Sequence, residues 1–213
     1  MKQLKPLIKF TLHFLLWLIP AFVLWWFSVN SVILPGLRIV VGEMASLWFH
    51  QEQVELHESK GDRWFVRTNL LTKKQPKDQS QRSRWTIYVS PLIIYTVGFP
   101  VLWAWFLATP QRRIFNQIVG NSIIFLLTTI VLWLLVFHSV ATITASGGAE
   151  FIYSYGYLYP APIYSKLLLN SLSHIQLLLA YFGCGLAVPI IWYAFNRDFV
   201  RKLIPKRSFA EIS

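Results

Sequence analysis

The stretch from Phe10 to Val29, FTLHFLLWLIPAFVLWWFSV, carries no charge and is bracketed by Lys9 and Asn30. A run of about 20 such residues matches the hydrocarbon thickness of a bilayer. Three further apolar stretches follow, at about Trp85–Ala108, Ile118–Val140 and Leu167–Phe195, each long enough to cross with some tilt. The chain therefore reads as an integral membrane protein with four spans. Its charged fraction, 14% of 213 residues, agrees, since a soluble domain carries about a quarter. The basic start, Met1 to Lys5, could head a signal peptide. However, the apolar part that follows exceeds the usual core of roughly 7–15 residues. It also ends in Trp25-Trp26-Phe27 rather than a small-residue cleavage site, so it reads as a retained anchor.

Charge sets the orientation. The net charge of +11 would suit nucleic acid, but much of it lies just beyond the apolar runs, where it faces lipid headgroups. Nucleic acid is not expected as a partner, because no basic face with interleaved aromatics stands apart from the spans. Lys2, Lys5 and Lys9 precede the first span. Arg112 and Arg113 link the second and third, and Arg197, Arg201, Lys202, Lys206 and Arg207 follow the fourth. The link between spans three and four has almost nothing basic before Lys166. By the positive-inside rule both termini are cytoplasmic. The segment 30–84 is then an extracytoplasmic loop, a subdomain of a single membrane domain covering 1–213.

That loop begins with helical periodicity from Pro35 to Phe49. Ile33, Leu37, Val40, Val41, Met44 and Trp48 share a stripe, with Arg38, Gly42 and Glu43 away from it. Such a helix lies in the outer interface or packs on the spans. Gln53–Glu58 alternates polar and apolar, Ser59–Asp62 reads as a turn, and Arg63–Thr68 is rich in strand formers. Arg84–Val89 is a third strand candidate running into the second span, and Thr72–Ser83 between them is polar. Two or three strands make little core alone, so this sheet needs the membrane surface, the helix or a partner. The second outer loop bends at Gly147-Gly148 and then carries Phe151, Tyr153, Tyr155, Tyr157, Tyr159 and Tyr164 with Pro160 and Pro162. One reading is an aromatic belt at headgroup level. The other is a rigid groove for an extended peptide. The exposed candidates for a partner or peptide surface are Trp48, Arg63, Trp64, Arg67, Tyr153, Tyr155, Tyr157 and Tyr159.

Polar groups inside a membrane are costly and are functional candidates by default. His13, His50, His57, His138 and His174 show no metal-ligand spacing and no accompanying paired carboxylates, so no metal and no cofactor is expected. His138 and His174 both fall near the outer ends of their spans and could form a polar cluster. The single cysteine, Cys184, is ten positions from His174 on one expected helix. That is about 15 Å along the axis, too far for a nucleophile–base pair. Gly183 and Gly185 beside it point to close helix packing instead. No acidic residue lies within a span, so a carboxylate proton relay has no members. Gly98 and Pro100 are expected to kink span two, and Pro189 interrupts span four. Asn121, Ser122, Asn170, Ser171, Ser173 and Gln176 are neutral and suited to bonds between helices.

Three stretches carry a family resemblance. They are Leu15–Pro20 with Trp25-Trp26-Phe27; Val89–Pro100 (VSPLIIYTVGFP) running on to Ala108; and Val188–Phe199 (VPIIWYAFNRDF). Together with chain length and the single sizeable outer loop, they resemble the exosortase H-associated membrane proteins of Gram-negative bacteria. The resemblance implies a protein accompanying an exosortase, a multi-span enzyme acting on C-terminal sorting tails of secreted proteins. It brings no catalytic residues to this chain.

The expected fold is thus an all-α membrane protein, a four-span bundle with a small extracytoplasmic helix and a β-hairpin or sheet inserted between spans one and two. The expected function is a non-catalytic accessory subunit of the bacterial inner membrane. Its partners would be lipids and another membrane protein of exosortase type, met through the periplasmic loop. The alternatives are a small membrane enzyme using His138 and His174, perhaps with Arg63 or Arg67, and a small carrier or channel.

Overall fold

The computed structural model describes residues 5–49, 54–58, 63–72, 84–89, 91–110, 114–154, 156–181 and 185–203. His50, Arg112, Arg113, Tyr155 and Cys184 lie outside them. The fold is mostly helical with a five-stranded antiparallel sheet. Two of its helices, Pro6–Phe49 and Ile114–Ala145, are long and apolar enough to cross a membrane.

The first long helix joins two expected elements into one. Helix α1 (Lys5–Ser28) passes through a π turn (Val29–Ile33) into α2 (Leu34–Phe49) without a break. Pro35 explains the turn. It has no N–H to donate one turn back, and its ring would strike that carbonyl. Widening the turn just before it moves the carbonyl aside. The Leu34 N–H accordingly donates to Val29 O, five residues back. The 44 residues make about 66 Å of helical path. In α2 the buried stripe is Leu34, Leu37, Val41, Ala45 and Phe49. Val40 and Trp48, expected on the inner stripe, are exposed.

The second apolar stretch is not a single helix. Trp85–Val89 belongs to strand β3 (Arg84–Val89). Its aromatic and β-branched residues suit a pleated surface, and a waiting strand supplies the ladder. A 3₁₀ turn (Ile93–Thr96) then leads into α3 (Gly98–Ala108). The expected kink at Gly98 and Pro100 is therefore a helix start, since Pro100 sits in the first turn, where its missing N–H costs nothing. Helix α4 (Ile114–Ala145) is uninterrupted. In the fourth stretch α5 (Lys166–Tyr181) precedes residues 182–184, which lie outside the described residues, and π-helical Gly185 and Leu186 lead into α6 (Ala187–Phe195), which holds Pro189. A short α7 (Arg197–Leu203) follows.

The sheet draws on both segments expected as outer loops. The first contributes β1 (Val54–Glu58), β2 (Trp64–Thr72) and β3. The second contributes β4 (Ala149–Ser154) and β5 (Tyr157–Pro160), turned at Gly156, whose φ of +82° favours glycine. Strand β2 is central. One edge pairs with β3; the other is shared, with β1 on Trp64–Thr68 and β4 on Leu70–Thr72. A bulge between Arg67 and Leu71 interrupts the β3 ladder, and the Thr68 hydroxyl donates to Trp85 O across it at 3.0 Å.

Helices and sheet share one core. Val54, Trp64, Val66, Leu70, Val89 and Ile152 from the sheet join Phe49, Phe137 and Val140 from α2 and α4. The joint leaves a void of only about 10 Å³, bordered by Phe49, Leu70, Val140, Ile152 and Tyr164, at the lower limit for one water. The sheet too small to stand alone is thus seated on helix ends. Below it, three indoles tie α3 and its flanks to other helices. Trp25 donates to Thr96 at 3.2 Å, Trp103 to Asn121 at 2.8 Å, and Trp192 to Thr109 at 2.9 Å. Gly120 lets α3 and α6 close on α4, because a Cβ there would meet Leu102, Phe106 and Ile191 at 3.2–3.3 Å. At the end away from the sheet, Phe10, Trp105, Trp192 and Phe199 cluster, bringing the basic residues of α1 and α7 together.

Candidate functional site: the outer face of the sheet

Strand β2 alternates Trp64, Val66, Thr68 and Leu70 inward with Phe65 and Arg67 outward. Antiparallel partners share a face, so the register fixes what surrounds Phe65. His57 is opposite it on β1 and Tyr88 opposite it on β3; Glu55 and Thr86 flank Arg67. The rings form a row. His57 stacks on Phe65 with centroids 5.3 Å apart and planes 21° from parallel, and Phe65 meets Tyr88 at 6.5 Å. His57 Nε2 lies 3.1 Å from a Glu55 carboxylate oxygen. Tyr88 is 68% exposed, and Arg63, Arg67 and Arg84 are exposed around it.

An open, flat aromatic row edged by guanidinium groups offers planar contact, cation–π contact and charge-assisted hydrogen bonds. It suits binding to another chain. Among the described residues no three His, Cys, Asp or Glu side chains converge as a metal would need.

The eight surface candidates distribute unevenly. Arg63 and Arg67 belong to this face. Trp64 is 2% exposed and lies in the core beneath it. Ile152 pairs with Leu70 on the inner side, which turns Phe151 and Tyr153 outward. Tyr159 pairs with Ile152, and Tyr157 with Ser154, so both are on the side that meets the helices, 49% and 69% exposed. Tyr155 lies outside the described residues. Trp48 is 58% exposed at the end of α2, edge-on to Trp133 and Phe137 at 5.7 Å. Tyr164 meets Phe137 edge-on at 5.5 Å, and burial raises its phenol above the ordinary tyrosine range.

The two membrane histidines stand apart. His138 is half-buried on α4, its carbonyl accepting from Thr142. His174 is exposed on α5, where Nδ1 donates to Asn170 O at 2.6 Å. No hydrogen bond or ring contact joins them. Of the six neutral polar residues, Asn121 bonds another helix, whereas Ser122 bonds back to Ile118 O.

The sequence marks neither Phe65 nor Tyr88, and His57 enters there only among the histidines weighed as metal ligands. The alternation of Gln53–Glu58 does place Glu55 and His57 on its polar face. The ring row itself depends on cross-strand register, which the alternation within each strand leaves open.

The family model described as exosortase H-associated membrane protein matches residues 4–169. It takes in both outer loops and ends before Val188–Phe199, one of the three stretches that carry the resemblance. No curated protein and no solved structure matches the chain.

Proposed function

Since the chain belongs to the exosortase H-associated membrane protein family, we propose that it is an accessory subunit of the inner membrane. Its outer sheet face would hold an exosortase-type enzyme, or that enzyme's substrate. One observation carries this reading: two loops far apart in sequence are merged into a single sheet, sealed on helices beneath and presenting the His57–Phe65–Tyr88 row above. A surface built at that cost in chain ordering, and left open, fits recognition.

The reading includes four crossings, by α1, by the segment Ile93–Ala108, by α4 and by α5 with α6. The gathering of Lys9, Arg197, Arg201 and Lys202 at the end opposite the sheet supports a cytoplasmic placement of that end. Tyr157 and Tyr159, turned toward the helices, then serve as a headgroup-level belt, while Tyr153 extends the recognition face.

Affinity purification from native membranes after mild cross-linking tests the proposal. An exosortase-type protein is expected in the eluate, and Phe65→Ser with Tyr88→Ser should reduce it severalfold while Tyr157→Ser leaves it unchanged. Repeated recovery of the chain alone would overturn the partnership. Loss of sorting in His138→Ala/His174→Ala, with normal membrane levels, would replace it with an enzymatic reading.

A further inference from the structure

At the end away from the sheet, α1, the end of α3 and α7 enclose a cleft of about 210 Å³. A single water needs only roughly 10–15 Å³, so the cleft can take a small organic group. Phe10, Ala108, Phe199 and Leu203 wall it, and its polar lining is Lys9 and His13. On α1, Leu7, Ile8 and Leu12 beside it are exposed and apolar, so it opens alongside the face that meets lipid. Lys202 and Arg201 on α7 are exposed nearby; Asp198, one turn before Lys202, is the acid closest to it in sequence.

The His13 ring defines the chemistry further. Its Nδ1 lies 2.8 Å from Lys9 O. A carbonyl only accepts, so Nδ1 carries the proton, and in the neutral ring Nε2 is left as an acceptor. The cleft thus offers a cation for a phosphate, an acceptor for a hydroxyl one turn deeper, and apolar walls for methylenes. Phosphatidylethanolamine matches the walls but carries no net charge. Phosphatidic acid has the charge but lacks an alcohol hydroxyl beyond its phosphate.

We propose that this cleft binds a phosphatidylglycerol-type lipid, with the phosphate at Lys9, a glycerol hydroxyl donating to His13 Nε2, and the start of an acyl chain between Phe10 and Phe199. The site lies at the opposite end from the recognition face and stands or falls independently of it.

Native mass spectrometry of the full chain in mild detergent, with matched-chain phosphatidylglycerol, phosphatidylethanolamine or phosphatidic acid added, tests this. Phosphatidylglycerol should be retained best. Lys9→Gln should weaken retention of both anionic lipids roughly fivefold, the scale of one cation beside an anionic headgroup. His13→Phe, at an exposed position, should erase the preference for phosphatidylglycerol over phosphatidic acid and keep the dependence on Lys9. Lys166→Gln, outside the cleft, should change nothing. An unchanged melting temperature shows that each variant is folded. Equal retention of all three lipids, or indifference to Lys9→Gln, would overturn the site. Displacement by soluble glycerol 3-phosphate would reassign it to a water-soluble phosphate ester.

Discussion

Three indole N–H groups bear much of the specificity between helices. A buried donor left unpaired has no water to turn to, so removing its acceptor costs more than the roughly 0.5–1.5 kcal/mol net worth of an ordinary bond. Thr109 gives the sharpest test, because its buried hydroxyl accepts from Trp192 and donates to Trp105 O. Thr109→Val keeps the shape and orphans a buried indole, which should cost about 1–2 kcal/mol in detergent unfolding. Adding Trp192→Phe should recover part of that loss, read as a non-additive double-mutant cycle. Only the Asn121 end of this set stands out in the sequence. Thr96 sits inside an apolar run and Thr109 just past its end, and a threonine becomes an acceptor for a partner helix only once the packing brings an indole to it. Tyr164 gives a second residue-level expectation. Its folded pKa is raised by burial from 10.0, so the unfolded chain ionises first. Stability is then intact below about pH 10 and falls as pH rises through the folded value. Tyr164→Phe should flatten that alkaline decline in the melting temperature.

At the scale of elements, the long apolar stretches were legible and their internal breaks were not. Hydropathy makes no distinction between Trp85–Val89 as the start of a helix and as a strand. The pairing of Trp64 with Val89 and Val66 with Ile87 decides it, and that contact is between segments. Pro100 misleads in a similar way. It lies where a kink would be expected in a continuous helix, yet it stands in the first turn of a new one. The β4–β5 hairpin was read only as aromatics and prolines. Its turn depends on Gly156 at positive φ, with nothing within 4 Å of a Cβ there. Gly156→Val should therefore cost about 1–3 kcal/mol through backbone strain alone. Hydrogen exchange should show the loss locally, with β4, β5 and the Leu70–Thr72 amides deprotected and α4 unchanged.

Across the whole molecule, the two ends have opposite characters, one basic and aromatic, the other a sheet. If the basic end is cytoplasmic, as proposed, an impermeant maleimide applied to intact cells should label Tyr88→Cys and leave Lys202→Cys unlabelled, both in a Cys184→Ser background. The reverse pattern would invert the topology. What the sequence offers for this polarity is the uneven flanking of the apolar runs by lysines and arginines. It carries the joining of the two outer loops poorly, since nothing local in Leu70–Thr72 or Phe151–Ile152 announces the other. That shared edge of β2 also sets an order of assembly. Leu70 and Ile152 are more than eighty positions apart, with α3 and α4 between them. During synthesis the lower half of β2 has one bare edge until the nascent chain has threaded α4 and delivered its second loop to the same side. The His57–Phe65–Tyr88 row, drawn wholly from β1, β2 and β3, needs none of this and can form first, so the second loop completes the sheet around a ring row already in place.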